Sequence, residues 1–219
     1  VYLKNREFLF YTAIVVVASL LVTLSLSLGG SELSTEGKVR AAFFQVVTIV
    51  TTTGYSSVDF ELWPNMALGI IFLMMFVGGC AGSTGGNIKP GRYLILLHRS
   101  IIEIKRIIHP KAVISLHFND RIISDSLLIN VLQFFFLYIM FLALGTIGLS
   151  CLDVDLITSI TAAASCLGNI GPGLGEVGPM DNYSFIADSG KYLLSLLMLV
   201  GRLEIYPLLL LFLPDFWRE

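Results

Sequence analysis

The sequence predicts an all-α membrane protein made of two parallel repeats. Each repeat reads as a long span, a half-length helix, a glycine-containing extended stretch and a second span. Three observations carry this. Only 14% of the 219 residues are charged and 55% are apolar, with mean hydropathy +0.82; soluble domains carry about 25% charged residues. The charges also avoid long runs: Phe8–Leu28 has 21 residues without one and Ser126–Cys151 has 26. A helix needs roughly 20 apolar residues to cross the hydrocarbon core, so both read as spans. Finally, the pattern recurs. Gly54 lies 46 residues after the start of its span and Gly168 lies 44 after Ser124, which is the mark of a parallel duplication.

The first repeat occupies residues 1–115. Phe8–Leu28 is its span, too long for a secretory leader and followed by no small-residue cleavage site. Gly29–Arg40 is polar loop, and Ala41–Val50 is an apolar helix too short to cross. It ends in Thr51-Thr52-Thr53-Gly54-Tyr55. Trp63–Val77 is apolar again, and Gly78–Gly86 holds five glycines in nine residues. Asn87–Ile108 resumes helical periodicity with Lys89, Arg92, Arg99, Lys105 and Arg106 along it.

The second repeat occupies residues 116–219. Ser124–Ser150 is its span, and Val154–Ser165 is its short helix. That helix runs into Cys166-Leu167-Gly168-Asn169-Ile170-Gly171-Pro172-Gly173. Leu193–Leu213 is the last span, with Arg202 near its middle, Glu204 two residues on, and a kink expected at Pro207. Cys80, Cys151 and Cys166 are odd in number and lack metal-ligand spacing, so they read as small packing residues. His98, His109 and His117 read as solvated or snorkelling groups on the basic side.

Basic residues set the orientation. Lys89 to Arg121 contains seven Lys or Arg and two acids, while Glu32, Glu36, Asp59, Glu61, Asp153, Asp155, Glu176, Asp181 and Asp188 collect on the other face. Positive residues stay inside, so both termini and the central region are expected in the cytoplasm, in a multi-pass protein of the plasma or inner membrane. The half-helices then open outward.

A half-helix that returns as extended chain leaves peptide groups that lipid cannot satisfy, so that chain must be buried or line a wet path. Thr52-Thr53-Gly54-Tyr55 resembles the Thr-Val-Gly-Tyr run whose carbonyls replace the hydration shell of K⁺ in channels. The negative C-terminal end of the preceding helix favours a cation there. No carboxylate stands in either stretch, which suits a monovalent ion better than a calcium cage. Expected filter residues are Thr52, Thr53, Gly54 and Tyr55, with Cys166, Leu167, Gly168 and Asn169 in the second repeat.

The glycine run lacks the Gly-Lys-Ser/Thr ending of a phosphate-binding loop and follows no strand. A tight helix crossing through small residues is the competing reading. An intramembrane hydrolase would need a base at membrane depth beside Ser83 or Ser165, and the sequence offers none. A secondary transporter with a midplane solute site on broken helices remains an alternative.

Together, Thr51–Tyr55, Gly78–Asn87, Gly168–Gly175, Gly201-Arg202-Leu203-Glu204 and the ending Leu213-Pro214-Asp215-Phe216-Trp217 resemble the TrkH branch of the Trk/Ktr/HKT superfamily over nearly the whole chain. The resemblance implies a K⁺-channel-like fold of four helix–pore-helix–helix repeats. This chain carries two, similar to the third and fourth, and so half of a pore. It implies K⁺ uptake, with K⁺ as transported ion and no cofactor bound by the chain. It also implies an intramembrane gate under the filter: Gly78, Gly79, Gly82, Ser83, Thr84, Gly85 and Gly86, with Arg202 facing it. Implied partners are membrane lipid, a second copy in a homodimer, and a cytosolic nucleotide-binding regulatory subunit on the basic face; nucleic acid is not among them.

Overall fold

The computed structural model describes residues 5–30, 33–109, 117–118, 121–122, 124–203, 205–211 and 214–217. Helix α1 (Arg6–Leu28) opens under an Asn5 cap, whose side chain accepts the Glu7 amide at 2.9 Å. Its hydroxyls cause no break, because they bond back to the helix. Ser19 donates to the Val15 carbonyl at 2.7 Å and Thr23 to that of Ser19 at 2.8 Å. The helix stops at Gly29, where any Cβ would run into the Pro64 ring.

Helix α2 (Thr35–Val50) starts six residues earlier than the apolar run suggests. Its polar first turn is helical because the Ser34 side chain caps the Gly37 amide at 3.1 Å. A chain of extended residues and a single 3₁₀ turn (Phe60–Leu62) lead to α3 (Asn65–Met74). The second span of this repeat is therefore broken. Fifteen residues separate α3 from α4 (Pro90–Ile108), which opens on a proline in its first turn. Glu103 lies 2.6 Å from Arg99 and 3.2 Å from Arg106 on the polar face of α4; such exposed pairs add little stability.

A two-residue antiparallel ladder, β1 (His117–Phe118) with β2 (Arg121–Ile122), precedes α5 (Asp125–Ser150). Helix α6 (Leu156–Gly168) starts at Asp155, whose carboxylate takes the Ile157 and Thr158 amides. The last expected span is two pieces, α7 (Asp188–Arg202) and α8 (Tyr206–Leu211), followed by a 3₁₀ turn at Pro214–Trp217. The helix ends after Arg202 and not at Pro207, which sits in the first turn of α8, where a proline costs little. Ile205 takes φ +66° and donates its amide to the Val200 carbonyl at 3.0 Å. Arg202 thus stands at the end of a helix. Glu204 lies outside the described residues.

The fold is an all-α membrane architecture in which span, half-helix and broken span occur twice. Helix α1 packs on α2 and α3 around Val22, Leu26, Val46 and Ile71; α6 packs on α5 and α7 around Leu149, Leu167 and Leu197. Among the described residues, two helices are long and apolar enough to cross a membrane, α1 and residues 126–150 of α5. Their outer faces carry bare side chains such as Leu20 and Phe136. The three cysteines are free; Cys166 is buried, Cys80 half-buried, and Cys151 exposed rather than packed.

Candidate functional site

Both half-helices end in the same way. After α2, Thr52 takes the left-handed conformation (φ +55°), and the Thr53 and Gly54 amides donate to the Thr48 carbonyl at 2.9 and 3.3 Å. After α6, Asn169 takes φ +55°, and the Ile170 amide donates to the Ser165 carbonyl at 2.9 Å. The Gly171 amide goes to the Ser165 hydroxyl at 3.0 Å. Gly54 (φ +79°) and Gly171 (φ +119°) then hold a backbone that L side chains avoid.

The structural counterpart of Gly54 is therefore Gly171, 117 residues on, and not Gly168. Cys166, Leu167 and Gly168, expected in the extended stretch, form the last turn of α6. The reason is that Gly168 keeps its helical conformation to let Asn87 approach: a Cβ there would meet the Asn87 carboxamide. Asn169, which tolerates the left-handed region, makes the break. Its Nδ2 donates to the Met198 carbonyl of α7 at 3.1 Å.

The two extended strands touch through their backbones. A Cβ on Gly54 would run into the Ile170 carbonyl, with Pro172 close behind. Other groups brace the outer limbs. Tyr183 donates to the Gly171 carbonyl at 2.7 Å, and Thr161 both donates to the Leu174 carbonyl and accepts its amide. Glu61, from the first repeat, accepts the Gly175 amide at 2.6 Å. Partial burial, with Asp59 and Asp181 nearby, raises the Glu61 carboxyl above its ordinary value against the lowering effect of that bond. Tyr55 lies exposed beyond this contact.

The glycine run passes directly beneath. Its neck is closed by the Gly78 amide donating to Ile88 at 3.1 Å and the Ile88 amide to Phe76 at 3.3 Å. Gly79 packs on Ser83, and the Ser83 amide turns back to the Cys80 carbonyl at 2.8 Å. Gly85 lies against Thr52, Gly86 against the Gly168 carbonyl, and Gly82 faces open space. Arg202 donates from the end of α7 to the Thr84 carbonyl. Asn87 (φ +68°) closes the loop, and Tyr138 of α5 donates to its Oδ1 at 3.0 Å.

All the expected gate residues thus lie in one loop under both strands, with Arg202 in contact. Tyr183, Glu61, Asn87 and Tyr138 were not singled out from the sequence. Asn87 had a signal, since it ends the glycine run. The others are single polar residues whose partners lie far along the chain.

The family of TrkH cation transport proteins matches residues 6–218. The Trk system potassium uptake protein TrkH of Halomonas elongata is 37% identical over 204 residues, which is 93% of this chain and 42% of that protein. The protein of the same name from Escherichia coli K12 is 35% identical over 219 residues, all of this chain and 45% of that one. The crystal structure of the potassium transporter TrkH from Vibrio parahaemolyticus superposes with a TM-score of 0.91 at 36% identity, over 99% of this chain and 46% of its own. The chain spans less than half the length of the curated relatives it matches. With both half-helices, their left-handed breaks and the loop beneath them in place, this chain belongs to the TrkH family of cation transport proteins.

Proposed function

We propose that the chain forms two of the filter strands of a K⁺ uptake pore in a cell membrane. K⁺ would lose its water to backbone carbonyls of Thr52–Tyr55 and of the stretch around Asn169–Gly171. What carries this function is the contact of Gly54 with Ile170: the strands that follow the two half-helices meet there backbone to backbone, each just beyond the negative end of its helix. The potassium-uptake names of the relatives agree with it. The glycine-rich loop lies across the inner end of the path as its gate, and Arg202 holds it shut, since a guanidinium there also repels a cation. The basic region from Lys89 to Arg121 faces the cytoplasm and offers a docking face for a regulatory subunit, beside a second copy of the pore.

The alternative, a secondary transporter of another solute, would need a roomy polar cavity where the strands touch. Rb⁺ and Na⁺ flux into cells lacking their own K⁺ uptake tests the choice. In a pore carrying this sequence, Gly54→Ser should insert normally yet lose K⁺ over Na⁺ discrimination. Unchanged discrimination would remove Thr52–Tyr55 from the ion path.

A further inference from the structure

Glu7 stands at the start of α1, where a carboxylate beside the lipid boundary calls for a reason. It is 7% exposed. Its Oε1 accepts two amides from far along the chain: Ala81, inside the glycine-rich loop, at 2.9 Å, and Gly91, in the first turn of α4, at 3.2 Å. Gly91 carries no side chain that could crowd this oxygen; a Cβ there would come within 3.3 Å of it. A carboxylate at a helix N-terminus is favourably placed toward the helix dipole as well as the free amides.

We propose that Glu7 is a positioning residue for the gate loop. Its carboxylate ties the loop's first limb, at Ala81, to the fixed start of α4. The loop is then held at two points, by an anion from the first helix and by the Arg202 cation from α7 at Thr84. Ala81 and Thr84 lie on either side of Gly82 and Ser83, so releasing one tie leaves the loop tethered by the other. Full opening requires both bonds to break. This rests on the loop being the gate.

Cys80, next to Ala81 and half-buried, reports on the tie directly. The rate of its alkylation by N-ethylmaleimide is read by mass spectrometry of the Cys80 peptide, in vesicles holding the pore. Glu7→Asp keeps the negative charge beside Cys80 but is one methylene too short to reach Ala81, so a faster rate reports exposure rather than thiol acidity. It should raise the rate about tenfold, the weight of one charge-assisted hydrogen bond. Ala81→Pro, which removes the donor from the loop side, should do the same, and the double variant should add little. Glu7→Gln keeps reach and an acceptor and should fall between. Rb⁺ leak without the regulatory partner should rise in step, with K⁺ over Na⁺ selectivity retained, which a generally damaged protein would not show. An unchanged Cys80 rate in both Glu7→Asp and Ala81→Pro overturns the tie. A faster rate with no added leak, in these variants and in Arg202→Ala alike, upholds the tie and removes the loop's gating role instead.

Discussion

Glu61 shows how a single residue joins the repeats. It lies near the end of the first strand's outer limb, yet its carboxylate is gripped by the 175–178 turn of the second; a Cβ on Gly178 would collide with it. Burial outweighs the Gly175 bond, so its folded-state carboxyl is raised. A raised carboxyl contributes stability at low pH and loses it as pH rises through the folded value. Removing the charge while keeping the acceptor should therefore help most at neutral pH. In thermal melts of the detergent-solubilised protein, Glu61→Gln should match the parent below about pH 4 and melt slightly higher at pH 7. A lower melting point at pH 7 would mean that the ionised acceptor at Gly175 outweighs its burial.

At the scale of elements, the loop and the end of α7 form one unit. Arg202 reaches the Thr84 carbonyl because α7 stops at Arg202. Arg202→Ala, and separately a deletion within Gly79–Gly85, should each raise basal K⁺ flux about tenfold or more, and the combination should add little to the deletion, because losing the loop already removes the Thr84 contact that Arg202 makes. Additive flux increases in that double-mutant cycle would show two independent elements. Much of this was legible in the sequence. The uncharged runs located α1 and α5, and five glycines in nine residues located the loop. The end of α7 at Arg202 was not legible, because Leu203, Ile205 and Tyr206 look the same to a hydropathy reading whether or not a helix passes through them. The second strand was misregistered by three residues for a related reason. Glycine can mark a turn or a close approach, and Gly168 is the second kind. The polar first turn of α2 was missed because capping by Ser34, not apolarity, makes it helical.

For the whole molecule, what matters is what the chain leaves open. Two strands meet at Gly54 and Ile170, while Tyr55 is 73% exposed on the far side. In the proposed pore a ring of four such strands would enclose the ion, and these two would supply half of it. Unpaired peptide groups facing lipid cost several kcal/mol each. Residues 1–219, purified and reconstituted alone, should therefore give no K⁺ uptake above empty liposomes. Robust uptake would mean that two copies complete the ring. The two repeats had been visible as a pattern of spans, but the touching strands had not. Their contact is backbone on backbone, and no side chain advertises it.

The first amide of each strand, Thr53 or Ile170, is held by a main-chain oxygen, of Thr48 or of Ser165, but the second is held by different means. Thr53 and Gly54 both bond to the main-chain oxygen of Thr48, whereas Gly171 bonds to the Ser165 hydroxyl. Every residue brings a main-chain oxygen, but only serine or threonine brings that hydroxyl. Codon changes at position 48 leave both anchored amides of the first strand held, while most changes at position 165 release Gly171 and keep only the Ile170 bond. In the proposed pore, position 165 thus offers heritable variation an entry to the second strand that position 48 does not offer to the first.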